Sequence, residues 1–417
     1  MRDPAPGAID QAVAGFDDGM DALAVSAAVR RRFAALPSDL SAAAVSQAVL
    51  RRRGRAKFGP LADRMWFTAD GLEQATRTDV AAHRAARFGA LTGQLHRPPR
   101  VADLCCGVGG DLLALAAAGC DVTGFDRDPA TVEAARANLL SAAMEADVQC
   151  LDVETLGAAA LAGFDAAFID PSRRRDGRRT FDADAYSPAW SFVSSTLAHR
   201  SAAAKVAPGI PHDLVPPQME VEWVSFGGGL KEAVVWSGEL ATPGVRRRAT
   251  LLPSGATMWA ATDTDEHPAR VGSARRYLYE PDDAVVRAHL VADLAHELDG
   301  ALLDASTAYV TSDVLVETPF AQAFEIVEVL PFSLKRLRSA LRERQVGSVA
   351  IMKRGSAVDV EQLRRDLRLS GAEQAIVVLA LIDGRHHAVL ARPASGVLSG
   401  TAKSAGEGAA VSRDRPV

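Results

Sequence analysis

The chain has 417 residues, enough for two or three domains, and its 48% hydrophobic and 24% charged content is ordinary for a soluble globular protein. The formal net charge of −5 excludes a globally basic nucleic-acid binder but leaves local basic patches open. No apolar run has the length of a membrane span, and the N-terminus lacks the apolar core of a signal peptide. We therefore predict a cytoplasmic protein without a membrane partner.

Residues 1–95 are predicted to form an N-terminal helical region, because they are rich in alanine and show helical spacing. Amphipathic helices are predicted at 20–36 and 40–53, with a break and an N-cap at Pro37-Ser38-Asp39 between them. The second helix leads into a basic cluster, which consists of Arg51, Arg52, Arg53, Arg55 and Lys57. This cluster is either a solvated helix end or a contact for phosphates.

Residues 96–265 alternate between short strands and helices, which is typical of a parallel α/β sheet. Strands are predicted at 101–105, 121–126, 146–150, 164–170, 202–206, 220–227, 231–237 and 250–260. Helices are predicted at 110–118, 129–142, 154–161 and 188–199. Because no long helix separates the last strands, and Gly227-Gly228-Gly229 favours a bulge or hairpin, we expect this end of the sheet to be antiparallel.

Residues 266–323 are predicted to be a connecting helical segment, with a helix at 280–300. A second, smaller α/β pattern occupies residues 324–393. Its predicted elements are strand 324–330, helix 333–344, strand 347–353, helix 358–369, strand 374–382, and a last strand at 386–391 after an Asp383-Gly384 hairpin turn. Residues 394–417 are rich in Ser, Gly and Ala and predict a disordered tail.

The four cysteines lie in or near predicted strands without the spacing of metal ligands: Cys105, Cys106, Cys120 and Cys150. We predict reduced core cysteines and no disulfide framework. His386-His387 has no cysteine or carboxylate at ligand spacing, so no metal site is predicted.

A glycine-rich turn follows the strand at 101–105. Gly107, Gly109 and Gly110 let the backbone approach a ligand closely, and the next helix presents free N–H groups. A dinucleotide fingerprint needs a third glycine where this chain has Leu112. Asp103, just before the turn, suits a cationic amino-acid ligand and would be poorly placed beside a pyrophosphate. These residues favour a sulfonium nucleoside with an amino-acid tail over NAD.

Two further acids end the next two strands. Asp126 is placed to accept both ribose hydroxyls, and Asp152 to accept from an adenine amino group, while Phe125 or Val153 could face the adenine ring. The predicted cofactor is therefore S-adenosyl-L-methionine. The residues predicted to bind it are Asp103, Cys105, Gly107, Gly109, Gly110, Asp126 and Asp152.

The stretches Asp103-Leu-Cys-Cys-Gly-Val-Gly-Gly, Asp126, Asp152 and Asp170-Pro-Ser-Arg resemble the successive motifs of class I S-adenosylmethionine-dependent methyltransferases. This resemblance covers about residues 95–265 and implies a seven-stranded Rossmann-like sheet and methyl transfer. The stretches starting at Met65 and Gly71, with the unit at 324–393, are similar to bacterial methyltransferases that carry a THUMP-like C-terminal domain. THUMP domains bind RNA in tRNA- and rRNA-modifying enzymes, so this similarity implies an RNA substrate.

The Asp170-Pro171-Ser172-Arg173 turn is the predicted chemistry site, with Asp170, Pro171 and Arg173 as catalytic residues. An Asp-Pro turn can aim a carboxylate and a backbone carbonyl at an exocyclic amine. In amino-methylating enzymes the matching motif is typically Asn/Asp-Pro-Pro followed by an aromatic residue. Here Ser172 replaces the second proline and Arg173 replaces the aromatic residue, although an arginine can also stack on a base.

Two other RNA chemistries can be compared with this motif. The uridine-C5 methyltransferases carry Asp-Pro-Pro-Arg but need a nucleophilic cysteine after the fifth strand, and the segment from Lys205 to Asp213 has none. That absence argues against covalent C5 chemistry. Lys205, Asp170 and Glu222 or Glu232 resemble loosely the Lys/Asp/Glu sets of ribose-methylating enzymes.

Two basic regions favour an RNA partner. An arginine-rich loop follows the motif, and with a nearby aromatic residue it offers phosphate contacts and stacking from Arg174, Arg175, Arg178, Arg179 and Trp190. Residues 333–368 contain ten Lys/Arg and four Asp/Glu. Three readings follow: an RNA methyltransferase, a methyltransferase for a small molecule or protein, and a cofactor- or RNA-binding protein without catalysis.

Overall fold

The computed structural model describes residues 6–156, 161–172, 174–175, 178–179, 186–263, 268–354 and 356–394. Several predictions therefore lie outside the described residues: residues 157–160 of the helix at 154–161, Arg173, the side chains of Arg174, Arg175, Arg178 and Arg179, and the tail beyond Ala394. The chain divides into two compact units. The first comprises Met1–Ile210 and Val234–Thr242, and the second comprises Pro211–Ala233 and Pro243–Val417.

The N-terminal region of the first unit is helical, as predicted. Its helices are α1 (Pro6–Asp17), α2 (Ala22–Arg32), α3 (Ser38–Phe58), α4 (Ala69–Gln74), α5 (Thr78–Ala90) and α6 (Thr92–Leu95), and a 3₁₀ segment occupies Gly59–Arg64. Asp21 starts α2 by accepting a hydrogen bond from the Ala24 N–H at 2.8 Å. Alanines such as Ala12 and Ala48 are fully buried where α1 to α3 pack, because their small side chains let the helices approach closely.

Two residues of the basic cluster at the end of α3, Arg51 and Lys57, make contacts inside the protein. Arg51 is buried and donates to the Met65 carbonyl at 2.9 Å. Lys57 donates to three backbone carbonyls near the end of α4, at 2.7 to 2.8 Å. Both sequence interpretations are therefore wrong for Arg51 and Lys57, since neither a solvated helix end nor a phosphate contact describes them. The internal acceptors lie 14 to 18 residues away in sequence and have no local signature.

A parallel sheet follows in the first unit. Its strands are β1 (Arg100–Leu104), β2 (Asp121–Asp126), β3 (Asp147–Cys150) and β4 (Ala166–Ile169), then a short antiparallel pair β5 (Arg174–Arg175) and β6 (Arg178–Arg179), and then β7 (Ala202–Val206). The sheet order is β7-β4-β1-β2-β3, and all four neighbouring pairs in it are parallel. Helices α7 (Gly110–Ala117), α8 (Pro129–Ser141) and α9 (Trp190–His199) connect these strands. Every residue of β4 and β7 is buried, as expected for parallel strands covered on both faces.

The remaining strands of this sheet differ from the prediction. They are β8 (Glu220–Phe226), β9 (Gly229–Ser237), which the two units share, β10 (Arg247–Leu252) and β11 (Ala256–Ala260). The stretch 250–260, predicted as one strand, contains the turn between β10 and β11, where Pro253 and Gly255 interrupt the ladder. Strand β10 is parallel to β8, which differs from the antiparallel arrangement expected for this end of the sheet, and it is antiparallel to β11, which the sequence did not separate from it. Counted over the described residues, the sheet has nine strands and not seven, while the predicted α/β class is confirmed.

A seven-stranded sheet lies in the second unit, in the order β13-β14-β12-β15-β18-β17-β16. Its strands are β12 (Tyr277–Pro281), β13 (Ala301–Asp304), β14 (Thr307–Ser312), β15 (Ala321–Pro331), β16 (Val346–Lys353), β17 (Glu373–Ile382) and β18 (Arg385–Pro393). Its helices are α10 (Asp283–Arg287), α11 (Val291–Glu297), α12 (Leu334–Glu343) and α13 (Val360–Leu367). Asp383 and Gly384 have φ angles of 49° and 70°, so the predicted hairpin turn is confirmed.

The helical prediction for residues 266–323 is wrong in part. Strands β12 to β14 lie in this segment, and the single helix predicted at 280–300 is replaced by the end of β12 and two short helices. His289, with a φ of 54°, interrupts the helical backbone between α10 and α11. Tyr277 and Tyr279 are buried and pair with β14 and β15, a long-range contact that overrides the helical spacing. In the part of the chain that the structure describes, no helix has both the length and the apolar character to cross a membrane.

Asn138 joins the N-terminal region to the sheet. Its side chain is fully buried, accepts from the Trp66 N–H at 2.6 Å, and donates to the carbonyls of Trp66 at 3.0 Å and Val108 at 2.8 Å. Gln47 makes a similar two-way contact with the backbone of Phe67, at 2.6 and 3.1 Å. These two amides therefore fix residues 66–67 against α3 and α8.

The Asn138 contact predicts a large loss of stability for Asn138→Leu. Leucine has the same branched shape and number of side-chain heavy atoms but leaves the backbone groups of Trp66 and Val108 without their partner, which should lower the free energy of unfolding by about 3 kcal/mol. Chemical denaturation followed by circular dichroism measures this change. Gln149→Leu removes an exposed amide on β3 and is the matched control, with an expected change within about 0.5 kcal/mol. Equal stability of the two variants would contradict the assignment.

Candidate functional site

A cleft of 470 Å³ lies at the carboxyl ends of the first unit's strands, where parallel α/β sheets bind ligands. Five parts of the chain supply its lining residues: 68–76, 103–111, 126–131, 151–153, and the pairs Asp170/Ser172 and Ser187/Pro188. All five belong to the first unit. Six of the seven predicted cofactor residues line the cleft with their own atoms, namely Asp103, Cys105, Gly107, Gly110, Asp126 and Asp152.

The glycine turn forms the floor of the cleft. Cys105, Gly107 and Gly109 have φ angles of 73°, 56° and 85°, so the backbone winds in the left-handed region before α7 starts at Gly110. The N–H groups of Cys105 and Cys106 both donate to the Phe125 carbonyl at 2.9 Å, which ties the turn to β2. Sequence reasoning missed the left-handed conformation of Cys105, because a cysteine gives no signal for it.

The stretch 68–76, here called the N-terminal wall, closes one side of the cleft. Thr68 caps α4 by accepting from the Gly71 N–H at 3.0 Å. A Cβ atom at Gly71 would lie 2.5 Å from Val108 Cγ1, so only glycine lets the wall approach the turn this closely. Lys57 holds the other end of α4 through its backbone carbonyls. The wall is therefore positioned by contacts to α3 and to the glycine turn.

Asp103 is a fully buried acid that lines the cleft. Neither of its carboxylate oxygens has a hydrogen-bond partner among the described residues. Burial raises the pKa of Asp103 well above its usual value, and the negative charges of Asp111 and Asp170 raise it further. A buried carboxylate without a partner is costly unless a cation reaches it, so this position suits a positively charged ligand.

Asp111 and Asp170, the two acids whose charges raise the pKa of Asp103 most, each form an ion pair with a basic side chain. Asp111 pairs with Arg84 at 2.5 Å, and the Arg84 guanidinium lies over the Phe168 ring, 4.5 Å from its centre. Asp170 pairs with Lys205 at 2.6 Å. Sequence reasoning did not identify Arg84, which comes from α5 and is 27 residues away from its partner. The contrast between these paired acids and Asp103 marks Asp103 as the acid that an added cation would satisfy.

Asp126 and Asp152 are half-buried and are held by backbone N–H groups. Asp126 accepts from Gly107 at 3.1 Å through Oδ2 and from Asp128 at 3.0 Å through Oδ1. Asp152 accepts from the Glu154 N–H at 3.1 Å and begins a 3₁₀ turn at Val153–Thr155. Both acids line the cleft, and so does Val153. Phe125 packs against Phe164, with ring centres 6.1 Å apart, and does not line the cleft.

Asp170 and the segment after it form another part of the cleft. Asp170 and Ser172 line it, while Pro171 is buried beside them. The backbones of Ser172 and Ser187, which both line the cleft, exchange hydrogen bonds of 2.8 and 3.0 Å. Trp190 does not reach the cleft lining and packs edge-on against Tyr186, with ring centres 5.8 Å apart.

Two cysteine thiols line the cleft, and both are poor nucleophiles. Burial, then the charge of Asp126, raises the pKa of the Cys105 thiol well above its usual value, and burial, then the charge of Asp103, does the same for Cys106. Both side chains therefore stay protonated, while the thiolate is the reactive form. Across the described ranges, no group of three His, Cys, Asp or Glu residues could hold a metal ion.

Comparisons with known proteins agree with this geometry. Residues 101–173 match a family model described as a methyltransferase domain, and residues 321–393 match one described as THUMP domain-like. The chain is 36% identical over 349 residues to a protein named an uncharacterized S-adenosylmethionine-dependent methyltransferase from Mycobacterium tuberculosis, with the same values for strains CDC 1551 and H37Rv; the match covers 81% of this chain and 92% of the relative. A crystal structure of a "putative methyltransferase" from Porphyromonas gingivalis W83 is 21% identical, covers 86% of this chain and 92% of its own, and superimposes with a TM-score of 0.67.

The fold and the cleft are those of a methyltransferase with a THUMP-like C-terminal domain. The chain belongs to the S-adenosylmethionine-dependent methyltransferases, and its cofactor is S-adenosylmethionine. The cleft residues fit this group, because the unpartnered carboxylate of Asp103 suits a ligand that carries an ammonium and a sulfonium. The THUMP-like match begins at residue 321, three residues before the predicted boundary at 324.

Proposed function

We propose that this enzyme methylates a nucleotide in RNA, either tRNA or rRNA, by direct in-line methyl transfer. The observation that carries the proposal is the basic surface of the THUMP-like domain. Helices α12 and α13 contact each other through a hydrogen bond of 3.3 Å from Arg342 to the Arg368 carbonyl. The cations exposed on and beside these two helices are Lys335, Arg336, Arg342, Arg344, Arg364, Arg365 and Arg368. Cations concentrated in one small domain of an otherwise acidic chain favour a polyanionic partner.

The cofactor side of the cleft is proposed to work through three strand-end acids and the glycine turn. Asp103 would receive the cofactor's ammonium group, Asp126 the ribose hydroxyls and Asp152 the adenine amino group. The backbone of Cys105, Gly107, Gly109 and Gly110 would let the cofactor's amino-acid part approach the sheet closely. When bound, S-adenosylmethionine supplies a methyl group on a sulfonium, from which a neutral thioether is a good leaving group.

The target side is proposed to work by orientation. Asp170 Oδ2 accepts a hydrogen bond from the Lys205 ammonium, and Asp170 Oδ1 has no partner among the described residues. Oδ1 would accept a hydrogen bond from an amine or hydroxyl of the target and so hold its lone pair in line. Pro171 fixes the backbone of this turn, and Arg173 would stack on the base. The high pKa values of Cys105 and Cys106 support direct transfer, because neither thiol is suited to form a covalent intermediate.

Transfer of labelled methyl groups tests the proposed substrate. The purified enzyme is incubated with labelled S-adenosylmethionine and with RNA, protein or small-molecule fractions from a strain that lacks it. We expect label in tRNA or rRNA, which is then digested and examined by nucleoside mass spectrometry to identify the product. Label confined to the protein or small-molecule fraction, or no transfer to any fraction, would overturn the proposal. Ribonuclease treatment of the RNA fraction is the control and should abolish its labelling.

A further inference from the structure

We propose that Lys205 is a positioning residue for methyl transfer, which holds Asp170 and the N-terminal wall in fixed relative positions. The inference rests on the proposed role of Asp170 in orienting the target. Lys205 lies near the end of β7 and its side chain is 8% exposed. Its ammonium donates to Asp170 Oδ2 at 2.6 Å and to Thr76 Oγ1 at 3.0 Å. It does not line the cleft, so it acts on the target through Asp170.

The sheet register explains why Lys205 meets Asp170. Strands β4 and β7 are parallel, and Ile169 pairs with Ala204. The next residues along the two strands are Asp170 and Lys205, which therefore leave the sheet side by side at its carboxyl edge. Because β7 is buried along its whole length, the lysine has little room to point elsewhere.

The charge of Lys205 offsets a repulsion within the cleft. Asp103, Asp111 and Asp170 lie close enough that the latter two raise the pKa of Asp103. Arg84 pairs with Asp111, and Lys205 pairs with Asp170. If Lys205 lost its charge, Asp170 would face the other carboxylates uncompensated and would turn away from them toward solvent. The ammonium therefore fixes one oxygen of Asp170 and leaves the other as the acceptor for a target N–H or O–H.

Thr76 extends this effect to the cofactor side. Thr76 and Asp170 both line the cleft, one at the end of the N-terminal wall and the other on the target side. One ammonium hydrogen-bonds to both, so it sets the distance between the wall and the target-facing carboxylate. In-line displacement is sensitive to such distances, since a misplacement of about 1 Å can cost about 100-fold in rate.

Steady-state kinetics of Lys205→Met in the full-length enzyme test the inference. We expect kcat for RNA methylation to fall about 100-fold, while the Kd for S-adenosylmethionine measured by calorimetry changes less than about threefold. Lys205→Arg keeps a cation and should recover part of kcat. Lys231→Met makes the same substitution at an exposed lysine of β9 and should leave kcat unchanged. A kcat for Lys205→Met within about threefold of the wild-type value would overturn the inference.

A double variant separates positioning from a general loss of structure. If Lys205 acts through Asp170, Lys205→Met combined with Asp170→Asn should be no slower than Asp170→Asn alone, whereas independent effects would multiply. Multiplied effects would overturn the inference. If Lys205→Met alone unfolds, the double variant provides the test. A double variant that folds with wild-type cofactor affinity but has a kcat about 100-fold below that of Asp170→Asn would also overturn the inference. Wild-type enzyme that transfers no methyl group to RNA would defeat the proposed function itself, and the inference with it. Normal RNA methylation by Lys205→Met would defeat the inference alone.

Discussion

Asp170→Asn should lower kcat for RNA methylation at least about 100-fold while the affinity for S-adenosylmethionine stays within about threefold of the wild-type value. The asparagine keeps the size of the side chain but removes the charge that attracts the Lys205 ammonium and orients the target. The carboxylate of Asp170 is paired with Lys205, so the substitution leaves the glycine turn and the acids Asp103, Asp126 and Asp152 in place. Steady-state kinetics and calorimetric titration of the cofactor measure the two quantities separately.

The control for Asp170→Asn must account for the lysine that it leaves behind. Removing one partner of a buried ion pair can cost about 3 kcal/mol, so thermal unfolding of the variant is compared with that of Asp121→Asn. Asp121 starts β2, at the end of the sheet away from the cleft, and pairs only distantly with Arg100 at 3.9 Å. A folded Asp170→Asn enzyme with undiminished kcat would show that Asp170 does not orient the target.

The gathering of the strand-end acids in one cleft could be predicted from sequence because its signals are local. Asp103, Asp126 and Asp152 each lie at or near the carboxyl end of a short strand, and parallel strands bring such positions to one edge whatever the details of packing. The same rule placed Asp170 at that edge. The helices and strands of residues 324–393 were also predicted within a few residues, since their amphipathic spacing and the Asp383-Gly384 turn are local features.

The partners of these residues could not be predicted, because they depend on long-range contacts. Arg84, Asn138 and Lys57 look like ordinary helix residues in the sequence, yet each is tied to the cleft or its wall by a specific contact. The absence of a partner at Asp103 among the described residues is still harder to foresee, since it requires knowing the position of every neighbour. The segment 266–323 was mispredicted for a related reason: its apolar residues pair across a sheet that the local pattern does not indicate.

Asp103→Asn is the second variant with a large expected effect, and it acts on the cofactor. A charge-assisted hydrogen bond from the ligand's cation to a buried carboxylate contributes about 2–3 kcal/mol, so its loss should weaken S-adenosylmethionine binding about 30- to 150-fold. Affinity in the wild-type enzyme should rise with pH through the raised pKa of Asp103, because the cation binds the ionised form and the free enzyme holds the proton. The variant should lack this pH dependence. Calorimetric titration at several pH values, in buffers of different ionisation enthalpy, detects the released proton.

The same substitution should stabilise the cofactor-free protein at neutral pH. Since burial raises the pKa of Asp103 in the folded state above its value of 3.8 in the unfolded chain, the folded state binds the proton more tightly. The contribution of Asp103 to stability is therefore complete below pH 3.8 and is lost as pH rises through the folded-state pKa. The substituted asparagine needs neither to take up a proton nor to bury a charge on folding, so the free energy of unfolding of the variant at pH 7 should exceed that of the wild-type protein by about 1 kcal/mol. An Asp103→Asn variant that is less stable and unchanged in cofactor affinity would contradict a ligand-binding role for Asp103. A variant that is more stable but binds S-adenosylmethionine poorly is the result expected if Asp103 is left unpaired in order to bind the cofactor.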